Sequence, residues 1–365
     1  MTPRQPLLDR LGLRHPVVLA PMAGEPAAPG LVTAVSSAGG LGSLGAAYLT
    51  PDTIADACRA IRAGTNGTFA VNLFAPSPEP TPAVDTEVLA TYHARLSALH
   101  DAAGLAESPP RDAPSGPSFP DQLEAALAGG APVLSFTFGL PDAAVMSRLK
   151  AAGVFTIATA TTVAEARAAE AAGFDAVTAQ GFEAGGHRGG FTGPHAEGDL
   201  IGTLALVPQV VDAVSIPVIA AGGIGDGRGV AAALMLGAEA AALGTAFLRA
   251  AECPLNAASK QALATAAEDS TTLTRAFSGR QARGLRSPVT EAFSDVETPP
   301  YPLPNALTRP LRGHAARQGD ARWNSVWSGQ AAPLARAEPA GAIVERIAAE
   351  AARLLGRQLG YRICS

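Results

Sequence analysis

Cysteine, lysine and aromatic residues are all scarce in this chain of 365 residues. The three cysteines, Cys58, Cys253 and Cys364, lie far apart and include no CxxC pair, so neither a disulfide framework nor a cysteine zinc site is expected. Lysine occurs only at Lys150 and Lys260, and arginine therefore carries nearly all of the positive charge. We interpret this bias as a matter of base composition rather than a functional need for guanidinium groups.

Charged residues and long apolar runs are also limited. Charged residues make up 16% of the chain and the net charge is −5, which argues against nucleic acid or an anionic membrane surface as the main partner. No stretch approaches the roughly 18 uninterrupted apolar residues of a spanning helix, and the N-terminus lacks a long apolar signal segment. We therefore expect a cytoplasmic protein with a small-molecule substrate, without a metal, nucleic-acid or membrane partner.

Apolar residues make up 47% of the chain, mostly in short runs that alternate with alanine-rich stretches of helical composition. Continuous apolar strands that alternate with helices indicate a parallel sheet buried on both faces. Eight runs predict strands, the first including its loop: 16–24, 41–47, 68–74, 132–139, 154–160, 174–181, 216–223 and 238–244. Eight is the number of strands that closes a (β/α)8 TIM barrel.

A doubly wound open sheet is the competing architecture. Such sheets usually carry a GxGxxG loop after the first strand, where this chain reads APMAGEPAAPG. The predicted fold class is therefore α/β, a (β/α)8 TIM barrel with inserted segments.

Two segments interrupt the alternation of strands and helices. Residues 75–120 are rich in proline with one helical patch, and residues 250–340 contain YPLPNALT and WSGQ, which do not read as barrel elements. We predict a barrel made by residues 1–74 and 121–249, with the two insertions forming a smaller substrate or lid region; for the first insertion, a simple spacer is an equal alternative. Residues 341–365 include an amphipathic helix that is expected to pack on the barrel wall.

Two glycine turns are placed where TIM barrels often hold a phosphate group. The active site of these barrels lies at the carboxyl ends of the strands, and the loops after the seventh and eighth strands often bind phosphate. Gly222 and Gly223 follow the seventh predicted strand, and Gly244 and Thr245 follow the eighth. Backbone N–H groups and a helix dipole can hold the anion without a cationic side chain. The two turns together predict a phosphorylated cofactor, whereas glycines that only make tight turns are the alternative.

The stretch QGFEAGGHRGG, residues 180–190, contains five glycines. Glycine at this density costs backbone entropy, and the loop presents one imidazole, His187, after the sixth predicted strand. An imidazole has an unperturbed pKa of about 6.5, so it can act as a base or as a cation near neutrality. Asn72 and Gln180 place amides at strand ends, where they can pair with the carbonyl and nitrogen atoms of a heterocycle.

The order of its motifs makes the chain resemble the nitronate monooxygenases, formerly called 2-nitropropane dioxygenases. The motifs are APMAG at 20–24, VNLF at 71–74, SFTFGLP at 135–141, AQGFEAGGHRG at 179–189, AAGGIGDG at 220–227, LGTAFL at 243–248, YPLPNALT at 301–308 and WSGQ at 327–330. The resemblance implies an FMN-dependent TIM barrel that oxidises alkyl nitronates with O2 to carbonyl compounds and nitrite. Some members of the family also accept neutral nitroalkanes, and none requires a metal or a nicotinamide cofactor.

The resemblance also implies residue roles. His187 would be catalytic, either removing a proton from a neutral nitroalkane or holding the nitro group of a nitronate. Tyr301 is expected next to the substrate, and so are Phe136 and Phe138 by their position after the fourth predicted strand. Contacts with FMN are expected from Pro21, Met22, Asn72, Gln180, Gly185, Gly222, Gly223, Gly244 and Thr245.

Two other functions remain open at this point. One is an FMN-dependent NAD(P)H oxidoreductase of the quinone or enoyl-acyl-carrier-protein reductase type, which shares the barrel and an EAGGH-like loop. The other is a flavin-binding barrel without enzymatic activity. The tail motifs favour nitronate oxidation. The sequence specifies neither the physiological substrate nor the oligomeric state, for which a homodimer is one option.

Overall fold

The computed structural model of the protein describes residues 7–76, 83–112, 116–192 and 200–356. Five pieces of the predicted segments lie outside the described residues, namely 1–6 and 193–199 of the barrel, 77–82 and 113–115 of the first insertion, and 357–365 of the C-terminal segment. Strands and helices alternate along most of the described chain.

Eight parallel strands form the centre of the fold. The central strands are eight of the eleven strands in the described residues. Numbered along the chain, the eleven are β1 Val17–Leu19, β2 Gly42–Gly45, β3 Phe69–Phe74, β4 Val133–Thr137, β5 Phe155–Ala160, β6 Ala176–Gln180, β7 Gly186–His187, β8 Val218–Ala221, β9 Ala240–Leu243, β10 Thr271–Thr274 and β11 Ala282–Leu285. The central sheet has the order β1-β9-β8-β6-β5-β4-β3-β2. Backbone bonds join its two ends, from Leu19 N to Leu41 O at 2.9 Å and from Leu41 N to Val17 O at 3.0 Å. The predicted eight-stranded barrel is therefore confirmed.

Helices surround the barrel and extend into the inserted segments. They are α1 Leu7–Leu11, α2 Pro29–Ser37, α3 Pro51–Gly64, α4 Thr86–Ala102, α5 Phe119–Ala128, α6 Ala143–Ala151, α7 Val163–Ala171, α8 Thr203–Ala213, α9 Gly227–Met235, α10 Ala257–Ala264, α11 Pro288–Ala292, α12 Leu303–Leu307, α13 Arg309–Gln318 and α14 Ala340–Leu355. Several begin at side chains that accept from the first turn, as Asp142 does from Val145 N at 2.8 Å, which stabilises the helix start. No described helix has the length and apolar character needed to cross a membrane.

Apolar side chains pack in two layers around the barrel wall. The outer layer lies between strands and helices, where Leu134 and Phe136 meet helix residues such as Leu149. The inner layer lies inside the barrel and includes Val133, and Leu7 and Leu11 of α1 pack against it. Because Leu7 N donates to the Glu239 carboxylate, directly before β9, at 2.6 Å, α1 lies at the amino end of the barrel and closes it. A ligand cavity is then expected at the carboxyl end.

The first insertion packs against the second insertion, residues 250–340, which we call the tail. Tyr92 and Leu96 of α4 share an apolar cluster with Phe277, Leu311 and other tail residues. The Tyr92 hydroxyl donates to Ala276 O at 2.7 Å, inside this cluster. The division into barrel and insertions stays a prediction, but α4 clearly supports the tail rather than adding to the barrel.

A second, three-stranded sheet joins the tail to the histidine loop. It has the order β10-β11-β7, with Ala282 paired to His187 and Arg283 paired to Gly186. The sequence analysis did not predict this sheet, because a two-residue strand rich in glycine carries no apolar alternation. The sheet fixes the position of His187 relative to the tail.

The last helix, α14, packs on the barrel wall. It begins at Ala340, and Ile343, Val344 and Ile347 on its buried face join the outer apolar layer. The Glu350 carboxylate accepts from Gly227 N at 2.9 Å, at the start of α9.

Candidate active site

A cavity of about 480 Å³ opens at the carboxyl ends of the barrel strands. Ligand sites typically have volumes of about 300–1,000 Å³. Side chains from inside the barrel, including Val18 and Ile157, line one part of the cavity, and the tail between Asn305 and Ala331 lines another. In the described part of the first insertion, residues 75–76, 83–112 and 116–120, no residue lines it. The tail, supported by α4, therefore forms the outer wall.

Most of the residues predicted from the sequence line this one cavity. They are Pro21, Met22, Asn72, Phe138, Gln180, Gly185, His187, Gly222, Gly223, Gly244 and Thr245. Tyr301 lies just behind the lining, with its ring centroid 5.7 Å from that of Phe138 and 6.2 Å from that of His187. The structure thus brings these residues together, while their contacts with cofactor and substrate stay predictions.

Phe136 lies away from the cavity. Its ring centroid is 6.2 Å from that of Phe119 and 5.9 Å from that of Phe174, in the layer between barrel and helices. Successive side chains of a strand point to opposite faces, and here Ser135 and Thr137 face the cavity while Phe136 faces outward. This placement argues against the predicted substrate contact of Phe136.

The two predicted phosphate turns meet at one end of the cavity. Gly222 and Gly223 follow β8 with φ of 114° and 67°, a region of backbone conformation that favours glycine. Among the described residues, none accepts a hydrogen bond from the amides of these two glycines. After β9, the Thr245 hydroxyl accepts from Gly329 N at 2.9 Å and keeps its own proton for another acceptor. Free amides and a hydroxyl suit the phosphate of a bound nucleotide.

The two predicted amides have different partners. Asn72 Nδ2 donates to Ser135 Oγ at 3.0 Å and to Thr137 Oγ1 at 3.2 Å, within the wall of the cavity. Gln180 Nε2 donates to the carbonyl of His187 at 3.1 Å, and its Oε1 accepts from Gly189 N at 2.7 Å. Gln180 therefore holds the histidine loop, in addition to facing the cavity.

His187 is held by a serine that the sequence analysis missed. Its Nε2 lies 2.8 Å from Ser278 Oγ, and the Ser278 side chain is buried. The imidazole ring centroid lies 5.6 Å from that of Phe138 and 5.4 Å from that of Trp327. The ring is thereby fixed in place while its accessible part faces the cavity. A lone serine ninety-one residues from the histidine gives no sequence signal, so only the fold could reveal this contact.

The imidazole of His187 is neutral near pH 7. Burial, followed by the positive charges of Arg280 and Arg312, lowers the pKa of His187 to about 3. A neutral imidazole can donate from one ring nitrogen and accept at the other. It contributes no positive charge to the site, so any charge that faces an anion must come from elsewhere.

Arg280 and Phe138 form a stacked pair beside His187. The Arg280 guanidinium carbon lies 3.9 Å from the Phe138 ring centroid, within the range of a cation–π contact. Phe138 adopts a φ of 74°, an uncommon conformation for a non-glycine residue, and its N–H donates to Gly189 O at 3.2 Å. Burial lowers the pKa of Arg280 to about 10, so it keeps its charge at neutral pH.

The tail brings two cationic groups into the cavity wall, and the loop after β2 brings a phenol; the sequence analysis singled out none of the three. Tyr48, Arg309 and Arg312 all line the cavity. Arg312 Nη2 donates to Asn305 O at 2.6 Å and to Asn305 Oδ1 at 2.9 Å. The only sequence signal was the spacing of the two arginines, three apart, after the YPLPNALT motif.

Two carboxylates anchor the loop that carries His187. On one side, Glu183 accepts from Thr203 N at 2.9 Å and from Thr203 Oγ1 at 2.9 Å. On the other side, the buried Glu165 accepts from Thr161 N at 2.7 Å and from Thr192 N at 2.9 Å. Burial raises the pKa of Glu165, but hydrogen bonds from these amides and that of Phe191 outweigh it and lower the pKa overall. Glu165 therefore stays ionised and holds the end of the loop.

Within the described ranges, no group of three or more His, Cys, Asp or Glu residues is arranged to hold a metal ion. The described cysteines, Cys58 and Cys253, are free and buried. Burial raises the pKa of Cys58 to about 11, which makes it a poor nucleophile. The polar groups of the described cavity lining include amides, hydroxyls, one imidazole, arginines and the carboxylate of Glu25.

Comparison with known proteins gives likenesses that extend along nearly the whole chain. The model of the nitronate monooxygenase family matches residues 4–350. A probable nitronate monooxygenase of Staphylococcus aureus (strain Newman) is 42% identical over 343 residues, which cover 93% of this chain and 95% of the relative. Nitroalkane oxidase from Streptomyces ansochromogenes has a TM-score of 0.85 and 43% identity, covering 93% of this chain and 96% of its own. FabK from Thermotoga maritima has a TM-score of 0.73 and 30% identity, covering 96% and 97%.

Proposed function

The chain belongs to the nitronate monooxygenase family, and from this premise we propose that it oxidises alkyl nitronates with O2 to carbonyl compounds and nitrite. The observation that carries the proposal is the placement of His187, which faces the same cavity as the two glycine turns. An oxidoreductase of this kind needs a flavin and a substrate side by side. The cavity provides a polar end and an aromatic end for the two.

We propose FMN as the flavin. The end of the cavity that holds Gly222, Gly223 and Thr245 would bind its phosphate, because amides and a hydroxyl that have no acceptor among the described residues converge there. Met22 and Gly185 would contact the remainder of the cofactor, and Asn72 would lie near its ring system. When bound, the flavin would supply the redox chemistry between the nitronate and O2.

His187 would hold the substrate against the flavin. The Ser278 hydroxyl and the Phe138 and Trp327 rings fix the imidazole, so it can offer a hydrogen bond in a set direction. Removal of a proton from a neutral nitroalkane is less favourable for an imidazole with a pKa of about 3 than for an unperturbed one. We therefore propose that holding a nitronate is its main role, with Phe138 and Tyr301 shaping the space around the substrate.

We also propose that different segments of the chain bind the cofactor and complete the substrate region. The barrel, residues 1–74 and 121–249, would bind the cofactor, and the insertions, 75–120 and 250–340, would complete the substrate region. The support for this proposal is that the tail lines the cavity while α4 packs behind the tail. On the described residues, a lid role is better suited to the tail than to the first insertion.

The test is nitrite release. The purified protein should show flavin absorbance and release nitrite from an alkyl nitronate in air. The variant His187→Asn should keep its FMN but lose kcat/KM for the nitronate by about 10- to 100-fold, the size expected when a hydrogen bond to a charged group is removed. Unchanged turnover would remove His187 from the mechanism.

A second assay separates this function from reduction by NAD(P)H. Without oxygen, a nitronate should bleach the flavin rapidly and NADH should not. Rapid bleaching by NADH alone would replace the proposed function with a reductase of the NAD(P)H-dependent type.

A further inference from the structure

Arg309 and Arg312 place two positive charges at the tail side of the cavity. Both lie in the first turn of α13, where the positive end of the helix dipole disfavours cations. Their position therefore costs helix stability rather than adding to it. An anion bound in the cavity would offset this cost.

Arg312 has few hydrogen-bond acceptors for its guanidinium among the described residues. Its Nη2 is bonded to Asn305, but its Nε is buried and has no hydrogen-bond partner among the described residues. Within the same residues, no ion pair includes Arg312. A half-buried guanidinium without a carboxylate carries a desolvation cost, and burial lowers the pKa of Arg312 accordingly.

The groups around Arg312 do not neutralise it. Those that act on its charge are the phenols of Tyr48 and Tyr92 and the guanidinium of Arg309. Burial raises the pKa of Tyr48, so this phenol stays protonated and serves as a neutral donor at the cavity wall. His187, on the same cavity, is neutral as well.

We propose that Arg312 is a specificity-determining residue that selects the anionic nitronate over the neutral nitroalkane. The inference rests on the proposed function, since it concerns the charge of the substrate of that same site. A nitronate is planar and shares its negative charge between two oxygen atoms. The planar donor fork of a guanidinium matches that geometry and charge, whereas a neutral nitroalkane gains far less from it.

The experiment compares Arg312→Gln with Arg317→Gln in the flavin-loaded protein. Arg317 is an exposed arginine of the same helix that does not line the cavity. For each variant, kcat/KM is measured with propyl-2-nitronate and with 2-nitropropane. In a separate titration, sodium nitrate, a planar anion with the same charge, is added to the oxidised enzyme and the change in flavin absorbance gives its Kd.

Arg312→Gln should lower kcat/KM for the nitronate by about 10- to 100-fold, the loss expected for a hydrogen bond to a charged group. Most of this loss should appear in KM. The value for 2-nitropropane should change by no more than about threefold, and nitrate should bind at least about 10-fold more weakly. Arg317→Gln should match the wild type in all three measurements.

Other results would overturn the inference. Equal losses with both substrates would assign Arg312 to the support of the cavity, and wild-type values in all measurements would leave it without a role. If the wild type releases no nitrite from the nitronate, the proposed function fails, and the nitrate titration alone decides whether Arg312 binds anions. If Arg312→Gln does not retain flavin, Arg312→Lys decides: an intermediate nitronate kcat/KM with normal nitroalkane turnover supports the inference, and parallel losses reject it.

Discussion

At the scale of single residues, the charge state of His187 determines how its imidazole can act on a substrate. The imidazole sits between the Ser278 hydroxyl and aromatic rings, and burial with two nearby arginines lowers its pKa to about 3. It therefore offers hydrogen bonding without charge at neutral pH. The positive field of the cavity comes from arginines, and the imidazole is left to orient the substrate.

The lowered pKa of His187 predicts a pH dependence of stability. Between pH 6.5 and about 3, the unfolded chain binds a proton at His187 that the folded protein excludes. Its contribution to stability is thus fully present above pH 6.5 and is lost as the pH falls, with a slope of at most about 1.4 kcal/mol per pH unit. Urea unfolding of the wild type and of His187→Asn at pH 7 and pH 5 measures the difference. Equal pH slopes for the two proteins would show that His187 does not titrate with this shift.

The sequence could predict residues whose type and place in a motif are distinctive. His187 in its glycine loop and the strand-end glycines all line the cavity, as a strand-by-strand reading indicates. Ser278 and Arg312 could not be predicted, because each depends on how a distant segment folds over the barrel. Phe136 was misplaced for a local reason, since the alternation of side chains along β4 directs it outward.

At the scale of elements, the turn after β8 depends on two glycines. Gly222 has a φ of 114°, and a β-carbon there would lie 2.7 Å from Thr203 Oγ1 and 3.0 Å from Gly181 O. A side chain would therefore both strain the backbone and displace the turn.

Gly222→Ala should weaken FMN binding by at least about 10-fold and lower stability by roughly 1–3 kcal/mol. Gly153→Ala is the matched control, because Gly153 also has a positive φ, of 69°, but a β-carbon there meets nothing within 4 Å. The control should lose stability without losing FMN affinity. Fluorescence titration with FMN and thermal unfolding measure both quantities. Wild-type FMN affinity in Gly222→Ala would exclude this turn from the phosphate site.

The barrel strands were predictable because short, continuous apolar runs that alternate with helices are typical of buried parallel strands. All eight barrel strands fall inside the predicted runs. The pairing of β7 with β11 was not predictable, since β7 has only two residues and its conformation is imposed by the tail. Local sequence thus specifies the barrel, while long-range contacts specify the site.

At the scale of the whole molecule, the described residues of the first insertion do not line the cavity and act on it through the tail. The fully buried Leu96 of α4 belongs to the apolar cluster that includes Phe277 and Leu311. Loosening this cluster should therefore affect the substrate side of the cavity and spare the cofactor side.

Leu96→Ala should lower stability by about 2–5 kcal/mol, as for other buried leucines, and raise KM for the nitronate without changing FMN affinity. Leu149→Ala is the matched control, since Leu149 is equally buried but lies in the layer between α6 and the barrel. The control should lose comparable stability and keep its KM. Urea unfolding and initial-rate kinetics provide the comparison. If Leu96→Ala and Leu149→Ala had the same KM for the nitronate, the cluster would not support the cavity.

The closure of the amino end of the barrel by α1 determines where substrates enter the cavity and products leave it. Leu7 and Leu11 pack against the inner layer at that end, so the cavity has its mouth on the tail side. Nitronate, oxygen, the carbonyl product and nitrite would then pass through this opening. Because the molecules share this opening, a product must leave before the next substrate can enter. The tail surrounds the opening and would therefore influence the rate of turnover.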